Sequence, residues 1–167
     1  MKKPTLKGFV LFYLFMTLAV SARAGDDAAS IERGRYLVTI GGCNDCHTAG
    51  YAEHDGNMPE NEWLTGVPVG FNGPWGTSYP GNLRLVASRL DESQFIARAR
   101  SRMLPPMPWF NLVTMSDTDL RSIYRYIASL GPAGTDVPAY VAPGATPQTP
   151  YIVFVPTQAG NMQALVN

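Results

Sequence analysis

The run Cys43-Asn44-Asp45-Cys46-His47 places two thiols three positions apart and an imidazole directly after them. Three chemistries use such a set. The thiols can cycle as a redox disulfide at a helix start. They can contribute to a zinc site. They can also attach a haem, the role for which C-x-x-C-H is a signature. The disulfide reading wants an alternating strand–helix chain around a parallel sheet, and almost no strand pattern is visible here. A zinc site needs two more ligands, and His54 is the only other histidine. Haem attachment needs nothing further. The two thiols reach the two vinyl groups on one edge of the haem, and His47 then lies under the iron as proximal ligand. Covalent attachment holds the haem in a domain too small to bury it by apolar contact alone. One haem c, bound through Cys43 and Cys46, is the expected cofactor.

An iron held by His47 needs something on its other side. A methionine thioether there raises the reduction potential, as in electron-transfer cytochromes. Met58, Met103, Met107, Met115 and Met162 follow the motif. Met107 stands between Pro106 and Pro108, which carry no N–H, so that loop can press a thioether toward the iron with few unsatisfied donors. Met107 is the expected second ligand and Met103 the alternative. Core filling is the other use of such a residue.

Three helices are expected to position this set. The first starts near Ser30, with Ile31, Gly34, Leu37, Val38 and Gly41 in helical spacing, and ends at Gly41-Gly42. The second runs from Asp91 to Arg102 with a capping box from Asp91 to Gln94. Pro105, Pro106 and Pro108 then forbid helix. The third starts at Ser116, with Asp119 completing a box, and carries Leu120, Ile123, Tyr124, Ile127 and Leu130 to a stop at Gly131-Pro132. Residues 48–82 read as a long turn-rich loop that needs something to wrap. Residues 132–150 form a Pro/Gly/Ala/Thr-rich connector, closed by the apolar run Tyr151 to Val155.

The chain has 167 residues, 46% hydrophobic and 16% charged, enough for one cored domain. Lys2, Lys3 and Lys7, an apolar stretch from Gly8 to Val20, and Ala22-Arg23-Ala24 read as a secretory signal peptide over residues 1–24. Phe9 to Val20 makes only about 18 Å of helix against a hydrocarbon core of roughly 30 Å. Cleavage after Ala24 removes four of the 13 basic residues and leaves nine, all Arg, against 13 acidic ones, a formal net charge of −4. An acidic exported chain argues against nucleic acid as a partner. The expected division is a cleaved signal at 1–24, a domain at 25–131 and a Pro-rich extended tail at 132–167.

Helix, C-x-x-C-H, long Gly/Pro loop, helix, Met-Pro and a capped last helix together resemble the class I c-type cytochrome domain, over about residues 30–131. Pro106-Met107-Pro108-Trp109, Met115-Ser116-Asp117-Thr118-Asp119-Leu120 and Tyr124-Arg125-Tyr126-Ile127 carry the likeness in the last third. Gly73-Pro74-Trp75-Gly76-Thr77 through Asn82-Leu83 is similar to monohaem cytochromes that accompany periplasmic dehydrogenases, although Arg84-Leu85 stands where those frequently have Thr-Pro-Asp. The resemblance implies an all-α fold of three or more helices, with long loops wrapped around one covalently bound haem. It implies that the first and last helices cross closely, with Gly34 meeting Tyr126 or Ile123. It implies a periplasmic carrier of single electrons with no catalytic residue of its own. Its partners would be a periplasmic dehydrogenase or membrane redox complex and other cytochromes, and it would meet the membrane only through them. The alternatives are a haem subunit of a dehydrogenase complex, with Tyr151 to Pro156 either a docking strand or an arm folded back on its own domain, and a peroxidase or gas sensor with an open sixth position. Arg98, Arg100 and Arg102 can hold haem propionates or form a solvated face. Asn82 can hold a propionate or a turn. Trp75, Trp109 and Tyr79 can pack on the haem or fill the core, and His54 reads as a surface loop residue.

Overall fold

The computed structural model describes residues 27–156. The signal at residues 1–24, Met162 and the end of the tail lie outside the described residues. Within them, a helix α1 spans 27–40. It is followed by α2 (Cys43–His47), α3 (Leu83–Arg89), α4 (Glu92–Ala99), α5 (Trp109–Thr114) and α6 (Asp117–Ser129). The three helices expected from periodicity are α1, α4 and α6. The others are short, and five to seven residues are too few to show a 3.6-residue period.

Local chemistry sets the ends of these helices. Gly42 turns the chain between α1 and α2 with φ 65°. The Asp91 capping box forms in full at α4. At α6 the Ser116 hydroxyl accepts from Asp119 N–H as expected. The Asp119 carboxylate instead accepts from Arg33 of α1 at 3.1 Å.

The chain is mostly helical, and beside the helices it carries one small sheet that the all-α expectation did not include. Strands β1 (Gly70–Gly73), β2 (Gly76–Ser78) and β3 (Tyr151–Val153) form a three-stranded sheet in the order β2-β1-β3. β1 and β2 form an antiparallel hairpin around Pro74-Trp75, and β3 joins β1 in parallel. Strands of three or four residues, several of them glycine, show no alternation. Their pairing also depends on a segment some eighty residues away, which no local pattern reveals.

The core lies between α1, α3, α6 and the loop before β1. Leu37, Val38, Trp63, Leu64, Ala87, Ile123, Tyr126 and Ile127 form it. The crossing of α1 over α6 is close. A Cβ on Gly34 would lie 2.0 Å from the Ser122 carbonyl oxygen and 2.7 Å from Tyr126 Cβ. Ser30 and Ser122 hydroxyls meet at 3.1 Å beside it. The Tyr126 hydroxyl donates to Glu60 at 2.5 Å, and Arg35 of α1 donates to the same carboxylate at 3.0 Å. This carboxylate fastens the 60–64 segment to both crossing helices. Burial, and then the hydrogen bond to Glu60, push the Tyr126 phenol well above its ordinary range.

The connector after α6 runs back along the domain. Thr77 and Val141 exchange backbone hydrogen bonds of 2.7 and 3.0 Å, Tyr140 OH donates to Trp75 O at 2.7 Å, and Gly70 N–H donates to Pro150 O at 2.9 Å. Phe154 packs edge-on against Phe71 and Trp75, each at 6.2 Å between centroids.

Two outcomes follow for thermal unfolding. Gly34→Ala forces the α1–α6 backbones apart and lowers stability by about 1–3 kcal/mol, read as a fall in Tm of several degrees. Truncation after Gly144 removes β3 and the Phe154 contacts and also lowers Tm; an unchanged Tm would mean the strand contributes nothing to its own domain.

Candidate functional site

Cys43, Cys46 and His47 all lie on α2, at positions i, i+3 and i+4, which share one face of a helix. The short helix is held from below by Asn44, which is buried. Asn44 Oδ1 accepts from the Thr48 hydroxyl at 2.7 Å, and the same Thr48 oxygen accepts from Leu64 N–H at 2.8 Å. Leu64 adopts φ 60°, strained for a branched side chain, and is fully buried. Its carbonyl accepts from Leu83 N–H at 3.0 Å, so one residue joins the end of α2 to the start of α3.

The imidazole is oriented by a backbone carbonyl 34 residues further along the chain, just before α3. His47 Nδ1 lies 2.7 Å from the Gly81 carbonyl oxygen. A carbonyl only accepts, so Nδ1 carries the proton and the lone pair is on Nε2. Burial lowers the His47 pKa, against the opposing effect of the Gly81 carbonyl, so the ring is neutral at pH 7. The His47 backbone carbonyl accepts from Gly66 N–H at 2.8 Å.

Both cysteines are free thiols, Cys43 partly buried and Cys46 exposed. Burial, reinforced by the charge of Asp45, pushes Cys43 up to about 11 and raises Cys46 as well. Among the described residues, no group of three or more His, Cys, Asp or Glu side chains is placed to hold a metal ion. Two thiols on one helical face and a neutral imidazole with Nε2 available form a donor set that fits a covalently attached haem. Cys43 and Cys46 would carry the thioethers and His47 the iron. The Trp75 Nε1 and Asn44 Nδ2 donors are buried and have no protein partner.

Met107 lies on the loop between α4 and α5, partly buried like Met103. Ser78 of β2 donates to the Pro105 carbonyl at 2.6 Å and fastens this loop to the hairpin. Met58 and Met115 pack against the apolar core instead.

The remaining expectations divide. Arg100 donates to the carbonyls of Leu112, Val113 and Met115 at the end of α5 and to Asp117, so it closes a helix terminus. Arg98 and Arg102 are exposed. Asn82 caps α3 and holds the connector, and its side chain is committed to protein partners. Tyr79 OH meets the Thr149 hydroxyl at 3.0 Å, and exposed His54 bonds Gly50 O at 2.7 Å. Gly81, Gly66, Thr48 and Leu64, which hold the motif, escaped the sequence reading because they act through backbone atoms or long-range contacts. Arg84 escaped it too. This buried guanidinium donates to Asn61 O at 2.6 Å, to Gly131 O at 2.6 Å and to Leu130 O, closing the end of α6.

No family model and no solved structure matches the chain. Among curated proteins it is similar to the gluconate 2-dehydrogenase cytochrome c subunit of Pantoea cypripedii, at 28% identity over 130 residues, which are 70% of this chain and 27% of that protein. It is similar to the alcohol dehydrogenase (quinone) cytochrome c subunit of Gluconacetobacter polyoxogenes, at 25% identity over 126 residues, 69% of this chain and 25% of that one. A nicotinate dehydrogenase subunit of Pseudomonas putida is 26% identical over 125 residues, 67% of this chain and 10% of its own length. The chain thus spans about a tenth to a quarter of the relatives it matches.

The unequal exposure of the thiols has a direct readout. In haem-free protein at pH 8, iodoacetamide labels Cys46 before Cys43, followed by peptide mass spectrometry. Equal labelling rates would contradict the burial of Cys43.

Proposed function

We propose that this chain is an exported, single-haem c-type cytochrome that carries electrons between redox partners in the periplasm. The observation that carries the reading is the α2 donor set: two free thiols at i and i+3, and at i+4 an imidazole whose Nδ1–H is engaged by the Gly81 carbonyl. When bound, the haem supplies one-electron ferric/ferrous chemistry. Cys43 and Cys46 anchor it, and His47 presents Nε2 in a fixed orientation. Met107, on a proline-flanked loop fastened to β2, is the proposed second ligand. The signal pattern of residues 1–24 supports export, and the likeness to cytochrome c subunits of dehydrogenases supports both the haem and a dehydrogenase as electron donor.

One surface favours a fixed subunit of such a complex over a freely diffusing carrier. Tyr151, Ile152 and Val153 of the edge strand β3, and Phe154 and Val155 directly after it, are 43–62% exposed. No charged residue occurs between positions 137 and 167. A contiguous apolar edge without charges suits a lasting contact with a catalytic subunit better than transient, charge-steered docking.

Mass spectrometry of protein exported with the haem-attachment machinery present is expected to show one haem per chain. The bare peptide mass would end the proposal. Met107→Ala keeps the haem attached, opens the sixth position, lowers the reduction potential, and lets reduced protein bind carbon monoxide rapidly. Rapid binding by the unaltered protein would favour a sensor or peroxidase instead.

A further inference from the structure

The two groups that hold His47 flank a single buried side chain. Gly81, whose carbonyl takes the Nδ1 proton, directly precedes Asn82. Gly66, whose N–H holds the His47 carbonyl, lies against the Asn82 backbone, and a Cβ there would come within 2.8 Å of Asn82 N. Asn82 is 4% exposed. Its Oδ1 accepts from Leu85 N–H at 3.0 Å, and its Nδ2 donates to the carbonyls of Ala133 at 2.8 Å and Thr135 at 3.2 Å. Only the amide nitrogen can face two carbonyls, so the orientation of the group is determined.

A helix cap needs only the oxygen, and Ser or Asp would supply it about as well. The two bonds from Nδ2 have another consequence. They tie the connector after α6 to the peptide that orients the imidazole. The connector is itself anchored nearby, by the Arg89–Asp136 ion pair at 2.7 Å and by the Thr77–Val141 bridge.

We infer that Asn82 is a positioning residue for His47, through which the connector at residues 133–135 sets the placement of the Gly81 carbonyl and so the electron-donating strength of the imidazole. This rests on the reading of His47 as an iron ligand. A firm Nδ1–H···O bond makes the ring a stronger donor and favours ferric iron; a loosened bond favours ferrous iron.

The test uses haem-loaded full chain. Asn82→Ser keeps an acceptor for Leu85 N–H and loses both bonds to the connector. Gly134→Ala acts from the other side. Gly134 has φ 70°, and an added Cβ would lie 3.1 Å from Asn82 Nδ2 and 3.3 Å from Thr65 Cβ. Redox titration and NMR exchange of the His47 Nδ1 proton in the ferrous state are read for both. The expected result is a ferrous-to-ferric ratio at fixed applied potential raised about threefold or more, with faster exchange of that proton. Wild-type potential and exchange in both variants, even with lowered Tm, overturn the inference and leave Asn82 as a cap alone. Should Asn82→Ser fail to fold, Gly134→Ala decides by the same two readings. Haem-free protein in the mass measurement fails the functional reading itself, and this inference with it; haem-loaded variants with unchanged potential fail this inference only.

Discussion

The backbone of α6 occupies the space where any side chain on α1 at position 34 would have to be. That contact, Gly34 against the Ser122 carbonyl, lets the two helices approach closely enough for Tyr126 to lie buried between them and reach Glu60. Its consequences extend along the chain. Through Glu60 the 60–64 segment is set, and with it the strained Leu64 that joins the end of α2 to the start of α3. The two thiols and the imidazole therefore take their position from a helix crossing, although none of them belongs to it. A five-residue helix cannot hold its own shape by hydrogen bonding alone, so α2 depends on this framework.

Burial acts in one direction on all three reactive groups of α2. It raises both thiols and lowers the imidazole, so each is held in its neutral form near pH 7. The Gly81 carbonyl then selects the tautomer. The outcome is an imidazole with Nε2 available in a fixed orientation, beside two thiols on the same face of a short helix.

The arginines show how the same framework uses its positive charge. Arg84 and Arg100 are directed at the carbonyl ends of α6 and α5, where the helix dipole favours a cation and the last carbonyls lack intrahelical partners. Arg33, Arg121 and Arg125 pair with carboxylates on facing elements. Pairs of this kind at a partly exposed surface each contribute little; their effect is to register α1 and α4 on α6. In the resembling cytochromes, the Asn-Leu stretch frequently continues Thr-Pro-Asp. Here Arg84 takes up a structural task at that point.

The Gly34 crossing was expected from the family resemblance; the three longer helices, the Asp91 and Ser116 caps and the C-x-x-C-H set were legible from residue order alone. Each depends on spacing within a dozen residues or on a side chain that can do only one thing. The sheet, α3, α5 and the holders of His47 were not legible. A backbone carbonyl such as Gly81 O carries no sequence signal, strands of three residues have no period, and β1 pairs with β3 across some eighty residues of chain. Asn82 marks the boundary between the two cases. Its residue type permitted either a propionate contact or a turn, and only the arrival of residues 133 and 135 beside it decided how the amide is used, because a side chain with two donors and one acceptor is committed by whichever partners the fold delivers.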